Sequence, residues 1–380
     1  MKKMYWHTHN LPRIFIISLC ILTIAGMVIV EHFKKFVPVE HYQLKVDAAN
    51  TARDAFSQVK QFRKKQNIPI NIKNDPQSSG LIGEQLTKIT SDPGNLTVKQ
   101  TTINPNIVAI FINWLKQAKL KPGDTVAIGA TGSFPTLDIS MLSAIKTMKL
   151  HPLIIYSAAA SQYGANIPNF TIIDIQHYLY QQKTFNYTPI AVSIGGGQDR
   201  GFGMSTKGQD ILTNTIKKYG YPMITPTGTI DSINQRMSLY EKAADGSRIN
   251  AYINIGGGMA SIGLKKIPQK TIHGTSEAHS LPTGVITALP ISLANTDSVA
   301  VRFLKLGIPV INIHNVGKKL RNDYQLPVNG KYSIIGWGPL FFHQTYNEVL
   351  TAIVLGIIIF ILIMMAVLSR KYRIRYIPPR

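Results

Sequence analysis

The chain has 380 residues and a formal net charge of +22. That length suffices for a substantial core, and the excess of cations points to an acidic partner or an anionic membrane surface. Cys20 is the sole cysteine, which excludes an intramolecular disulfide and a cysteine-ligated zinc site.

Residues 14–30 read IFIISLCILTIAGMVIV, an uncharged run at the short end of spanning length. Lys2, Lys3 and Arg13 precede it, as they would in a signal peptide. No small-x-small cleavage site follows, so an uncleaved anchor is the expected reading. Residues 349–368, VLTAIVLGIIIFILIMMAVL, make a second span. Trp337, Phe341, Phe342 and Tyr346 precede it as an interfacial belt would, and Arg370, Lys371, Arg373, Arg375 and Arg380 follow it. The positive-inside rule places the basic ends, 1–13 and 369–380, in the cytoplasm and the intervening region outside. Such a location argues against nucleic acid and ATP as partners. Eight of the 41 Lys and Arg residues lie at the two ends, so the region between the spans is basic in its own right.

Residues 31–105 read as a stalk and an irregular lead-in. Within them 47–66 has helical spacing, with Ala52, Ala55, Phe56, Val59 and Phe62 on one face. The stretch 74–106 is rich in turn residues and reads as a long ordered loop able to reach a site. From 106 to 346 the pattern is α/β. A helix over 107–120 ends at Lys121-Pro122-Gly123. Apolar strands are predicted at 125–129, 152–157, 170–174, 190–195, 221–225, 251–256 and 308–313, and helices at 136–149, 206–219 and 298–306. Continuous apolar strands alternating with helices predict one α/β domain, outside the membrane, with a mostly parallel sheet covered by helices on both faces.

Three predicted strands run into glycine-rich turns: AIGATGSFP (127–135), SIGGGQDRGFG (193–203) and NIGGGMASIG (254–263). In an open parallel sheet these turns share the edge where ligands bind. Glycine allows close backbone approach, and N–H groups at a helix start attract anions. The candidate ligand-binding set is Gly129, Thr131, Gly132, Ser133, Gly195, Gly196, Gly197, Asp199, Arg200, Gly256, Gly257, Gly258 and Ser261, with Lys207 nearby in sequence. None of the turns is a G-x-x-x-x-G-K-[ST] phosphate loop or an in-register G-x-G-x-x-G, so no nucleotide cofactor is expected.

Ser133 lies where a nucleophile elbow would put its serine, but the elbow requires G-x-S-x-G and this turn reads G-A-T-G-S-F-P. Capping the next helix and donating to a ligand are the competing roles. IHGTSEAHS (272–280) holds His273, Glu277 and His279 at a spacing that does not share one helix face, so no metal site is expected there. His314 and Asn315 follow the last strand and fall on the same edge. His273, His279 and His314 are the candidate bases for Ser133, and Asp199 and Asp231 are general bases if they reach the edge.

The basic N-terminus, first span, GLIG at 80–83, GATGSFP, SIGGGQDRG, NIGGGMASIG, last span and basic tail together resemble the bacterial poly-gamma-glutamate system protein family. The resemblance covers nearly the whole chain. It implies a membrane-anchored accessory component of capsule or polymer synthesis and export, in the bacterial cytoplasmic (inner) membrane. The implied partners are poly-gamma-glutamate and the membrane subunits of its synthase. The resemblance carries no catalytic residues. An outer enzyme that hydrolyses or transfers gamma-glutamyl chains, with Ser133 as nucleophile, and a purely structural scaffold of the synthase are the alternatives.

Overall fold

A computed structural model describes residues 13–263, 270–271, 274–275, 281–327 and 334–372. In chain order the elements are α1 (Arg13–His32), β1 (Lys35–Pro38), α2 (Tyr42–Lys65), α3 (Leu96–Thr102), α4 (Val108–Gln117), β2 (Thr125–Thr131), α5 (Pro135–Met148) and β3 (His151–Ser157). Next come β4 (Asn166–Ile167), β5 (Phe170–Thr171), α6 (Ile172–Gln181), β6 (Ala191–Ser193), α7 (Thr206–Lys218), β7 (Met223–Ile224), α8 (Thr229–Ala244) and β8 (Ile249–Ile255). The chain continues through α9 (Met259–Ile262), β9 (Lys270–Thr271), β10 (Gly274–Thr275), β11 (Gly284–Ile286) and α10 (Val299–Lys305). It ends with β12 (Val310–Ile313), α11 (Gly317–Asn322), β13 (Phe342–Thr345) and α12 (Glu348–Tyr372).

The chain divides into two compact units. One comprises residues 1–39 with 342–380, the other residues 40–341. In the first, α1 and α12 are both long and apolar enough to cross a membrane. They meet at Gly26, where an added Cβ would lie 2.6 Å from Val354 Cγ1. A glycine at that contact lets two apolar helices approach closely. β1 and β13 pair antiparallel, from Lys35 opposite Thr345 to Pro38 opposite Phe342. Phe341, expected in an interfacial belt, is instead fully buried in the other unit, edge-on to Tyr42 at 6.2 Å between ring centroids.

The second unit is built on a seven-stranded sheet of order β11-β12-β8-β2-β3-β6-β7, parallel throughout except for β11. Strand residues of both parities are buried: Ala127 and Ile155 on one face, Ile128 and Ile154 on the other. Both faces are therefore covered, which is why the strands read as unbroken apolar runs. Tyr240 of α8, Tyr252 of β8 and Phe303 of α10 stack into the core of one face. On the other, α2 lies against α4, α5 and α6. The helix expected over 47–66 starts earlier, at Tyr42, and buries Ala48, Ala52, Ala55, Phe56, Val59 and Phe62. Residues 40–105, set apart by sequence as a stalk and lead-in, fall in the same compact unit as the sheet.

The strand expected at 170–174 is a correction. Only Phe170 and Thr171 are extended, and α6 begins at Ile172. Thr171 caps the helix: its hydroxyl accepts from Asp174 N while Asp174 accepts from Thr171 N, a reciprocal capping box. Ile172, Ile175, Tyr178 and Leu179 then follow helical spacing into the core.

Arg63 explains why the lead-in is ordered. Its guanidinium is fully buried and donates to the carbonyls of Pro69, Gly80 and Ile82. Asp75 closes a turn by accepting from Ser79 N and Gly80 N. Asn166 then clasps the segment, donating to Glu84 O and accepting from Glu84 N. The lead-in pairs with the end of β3 through Ser91 N to Ala160 O and Gln162 N to Asp92 O, at 2.9 Å each.

A buried ion pair ties α8 to the ends of β3 and β6. Arg236 Nη2 donates to Asp199 Oδ2 at 2.8 Å, and also to the hydroxyls of Ser157 and Ser193. Asp199 accepts in addition from Ser193 and from Ser232, each at 2.6 Å. Removing one member strands a buried charge, at a cost of about 3–5 kcal/mol. Arg236→Met and Asp199→Asn should each lower the stability of the detergent-solubilised full chain by that order in chemical denaturation. A surface change such as Arg53→Met should have no comparable effect.

Candidate functional site

The order of the strands fixes the site. From β2 the chain moves outward through β3, β6 and β7, then returns to lay β8 on the opposite side of β2. The reversal between β2 and β8 is a topological switch point, where the loops after the two strands part and leave room for a ligand. The turn after β2 carries Gly132 and Ser133, and the turn after β8 carries Gly256, Gly257 and Gly258.

These turns touch. A Cβ at Gly256 would lie 2.4 Å from Thr131 Oγ1, and the φ of Gly256 is +105°. Both the space and the backbone therefore demand glycine there. Gly257 faces His314, whose ring would be 2.9 Å from an added Cβ. Ser261 is buried beside Gly129, where an added Cβ would also meet Tyr252 Oη at 2.3 Å. The third glycine turn joins the same edge. Ala159 N donates to Ile194 O at 2.8 Å, linking the ends of β3 and β6. Gln198 N approaches Met259 Sδ at 3.4 Å, linking the turns after β6 and β8. The turn after β6 is closed on itself by Gly197 N to Phe202 O at 2.8 Å and Gly201 N to Gly195 O at 2.7 Å.

The three glycine turns thus share one edge, with Thr131, Gly132, Ser133, Gly195, Gly196, Gly197, Gly256, Gly257, Gly258 and His314 on or beside it. Other expected residues have different roles. Asp199 is buried and both its oxygens are taken by Arg236, Ser193 and Ser232. It supports the turn after β6 from beneath and is not placed to act as a general base on a ligand. Arg200 is exposed, donates to Thr227 O at 3.0 Å and lies over the Phe202 ring. Asp231 accepts from Thr227 N and Gln235 and is half-buried, and those hydrogen bonds, the Thr227 amide first, hold its carboxyl below the usual range. His273, Glu277 and His279 lie outside the described residues. Among the described residues no group of three His, Cys, Asp or Glu side chains is arranged to hold a metal.

Under the β2 turn sits a cluster that sequence reasoning missed. Lys99 of α3 is 2% exposed. Its ammonium donates to the Ser133 carbonyl and to Ser161 Oγ, the latter at 2.9 Å, and lies 3.8 Å from the centre of the Phe134 ring. Ser161 N donates in turn to Ser133 Oγ at 3.1 Å. Ser133 thus faces Ser161, and the lysine addresses the Ser133 carbonyl rather than its hydroxyl. Burial pushes the Lys99 amine down to about 7, against the opposing pull of Asp138. Asp138, on the first turn of α5, is buried with no hydrogen-bond partner for either oxygen among the described residues. Burial raises its carboxyl well above the usual range. One signal for Asp138 was legible: it shares a helical face with the apolar Met141, Leu142 and Ile145. Nothing in the sequence distinguished Lys99 from the other basic residues.

Two hollows of this unit lie away from the glycine edge. One, of about 450 Å³, is lined by Met223, Ile224, Asn234 and Ser238. The other, of about 330 Å³, is lined by His177, Tyr178, Lys218 and Tyr219. Neither brings together groups with a common chemistry, so the functional assignment rests on the edge.

The buried amine has a thermodynamic signature. Its folded value is depressed below that of the unfolded chain, so from about pH 7 up to the ordinary lysine range the unfolded state binds the extra proton. Stability contributed at this site therefore rises with pH across that window and is flat below it. The difference in stability between the full chain and Lys99→Met should grow from pH 7 to pH 9. An unchanged difference would place the amine's folded value outside the window.

No family model, curated protein or solved structure matches the chain.

Proposed function

We propose that this protein is a membrane-anchored component of poly-gamma-glutamate synthesis and export, and that the glycine edge of its α/β unit holds the polymer. The observation that carries the reading is the convergence of three glycine turns at the switch point between β2 and β8, centred on the Thr131–Gly256 contact. The amides of Gly132, Gly197 and Gly256 are bonded within the fold, so an anion would be met by the remaining N–H groups of these turns, without the bulk of side chains. Poly-gamma-glutamate offers a free carboxylate at every residue, and its backbone is slim enough to lie across such an edge. The region between the spans keeps 33 of the 41 Lys and Arg residues against at most 19 Asp and Glu, an excess that suits a polyanion: it raises the local concentration of polymer and accelerates encounter.

In this reading α1 and α12 cross the cytoplasmic membrane with both basic ends inside, and the α/β unit lies outside. The two spans dock on the membrane subunits of the synthase, and the outer unit receives the chain as it emerges.

Gly258 provides a test that spares the fold. Its φ is −59°, and an added Cβ meets nothing closer than 3.6 Å. Gly258→Phe should therefore fold while its ring occupies the space between the turns after β2 and β8. The detergent-solubilised full chain should bind defined poly-gamma-glutamate at low salt and lose affinity as salt screens the charges. Gly258→Phe should weaken binding by about tenfold or more, the equivalent of roughly 1.4 kcal/mol. Binding equal in the variant, or none in the parent, overturns the assignment of the edge.

Orientation is read separately. Leu306 is exposed, and Cys20 is the sole native cysteine. Leu306→Cys in a Cys20→Ser background should react with a membrane-impermeant maleimide in intact cells lacking an outer membrane. Protection until the cells are opened would invert the topology.

A further inference from the structure

We infer that Ser161 and Lys99 form a nucleophile–base pair, giving the glycine edge an acyl-transfer activity toward an ester or amide carbonyl. The argument is geometric. Ser161 follows the end of β3, between the turn after β2 and the turn after β6: added Cβ atoms at Gly132 and at Gly195 would both strike the Ala158–Ala160 segment. Its backbone is fixed on both sides, since Ala160 O accepts from Ser91 N and Gln162 N donates to Asp92 O. Its own N–H is held by Ser133 Oγ. On this fixed backbone Ser161 Oγ lies 2.9 Å from Lys99 Nζ, within the reach a general base requires.

Lys99 is equally constrained. The Ser133 carbonyl takes one of its protons, and the Phe134 ring covers it. A neutral amine keeps one lone pair free after donating to Ser133 O, and Ser161 Oγ is the hydroxyl beside it. Burial, which lowers the amine to about 7, supplies that neutral form near physiological pH. Asp138 is the titratable group that opposes this shift, and its own tendency under burial is toward the uncharged acid. With Asp138 protonated, Lys99 has no buried anion to hold its proton.

The step balances as follows. Ser161 Oγ attacks the acyl carbon while its proton passes to Lys99 Nζ. The tetrahedral adduct collapses, the bond from carbon to the leaving oxygen or nitrogen breaks, and Lys99 returns the proton to that leaving group. The acyl chain remains as an ester on Ser161. Water or a second amine then attacks the ester, delivers a proton to Lys99 and frees Ser161, which is re-protonated from the lysine. The inference concerns Ser161, in place of the Ser133 that sequence singled out, and does not depend on which anion occupies the edge.

The test uses the detergent-solubilised full chain and an alkyl fluorophosphonate, which phosphonylates an activated serine with loss of fluoride. Peptide mapping should place the label on Ser161, and Ser161→Ala should abolish it while the chain stays folded, as a cooperative melting transition would show. The labelling rate should climb as pH rises through about 7. Lys99→Arg, which keeps the cation but cannot act as a base, should slow labelling by about 100-fold or more. No label on Ser161, or a rate in folded Lys99→Arg equal to that of the parent, overturns the pair. Should Lys99→Arg fail to fold, the position of the label and the pH profile of the parent decide alone. Poly-gamma-glutamate binding that persists in an unlabelled chain would reject the pair while leaving the binding assignment intact.

Discussion

The ion pair between Asp199 and Arg236 is the constraint on which the glycine edge depends. Two charges removed from water carry a large desolvation cost, offset only when geometry and additional hydrogen bonds are both good. Here the serine hydroxyls at 157, 193 and 232 complete the shell around one carboxylate and one guanidinium. These groups come from β3, β6, α8 and the glycine turn itself, so satisfying the charges fixes all four relative to one another. The turn after β6 bears positive φ at Gly195, Gly196, Gln198 and Asp199 in close succession. Two of these residues are not glycine, and such a backbone persists only where its surroundings over-determine it. The buried pair supplies that determination from below.

The lead-in fixes the other side of the edge by similar means. Arg63 gathers three carbonyls from a segment with no regular structure of its own. That segment then pairs with both flanks of Ser161. A long irregular stretch inside a compact unit needs a reason, and here the reason is positional: it delivers α3, and with it Lys99, beneath the β2 turn. Asn95 starts α3 by accepting from Val98 N, one turn before the lysine. Two buried cations, Arg63 and Arg236, are thus used for architecture. Of the other buried cations among the described residues, Lys45 and Lys99, the latter meets a carbonyl, a hydroxyl and an aromatic face, with no carboxylate within ion-pair distance among the described residues. The hydroxyl at 2.9 Å and an amine that can lose its proton are what set Lys99 apart from the two guanidinium groups.

Much of the architecture was legible in the chain. The apolar runs around 125–129, 152–157, 190–195, 221–225, 251–256 and 308–313 each contain a sheet strand, because a parallel sheet buried on both faces leaves no polar alternation to obscure them. The run at 170–174 misled for the same reason. Phe-Thr-Ile-Ile-Asp is as apolar as a strand, and only the Thr171–Asp174 cap marks it as a helix start. The shared edge was legible because three glycine runs followed three strands, and topology did the rest. The buried roles of Asp199 and Lys99 were not legible. Asp199, in a glycine turn, was expected in the ligand-binding set and as a general base if it reached the edge, yet its partner proves to be Arg236, distant in sequence. Lys99 sits in a stretch where no periodicity signals burial. Such long-range pairing leaves no trace in local pattern.

The distribution of charge separates the two tasks a polyanion-binding surface must perform. Long-range attraction depends on the sum of the exposed cations and is screened within about 10 Å at ordinary ionic strength. Holding a carboxylate in place depends on short, directed donors and is screened far less. In this protein the abundant lysines and arginines are spread over the chain, whereas the edge itself is made of glycine, serine and threonine. Arg200 is exposed beside the edge, anchored to Thr227 O. A cation-lined groove would grip a carboxylate polymer at many points and release it slowly, because each fixed ion pair adds to the dissociation barrier. An edge of small residues with few fixed cations would, if it holds the polymer as proposed, combine fast capture with weak individual contacts. In the proposed reading, that combination suits a chain that must keep moving.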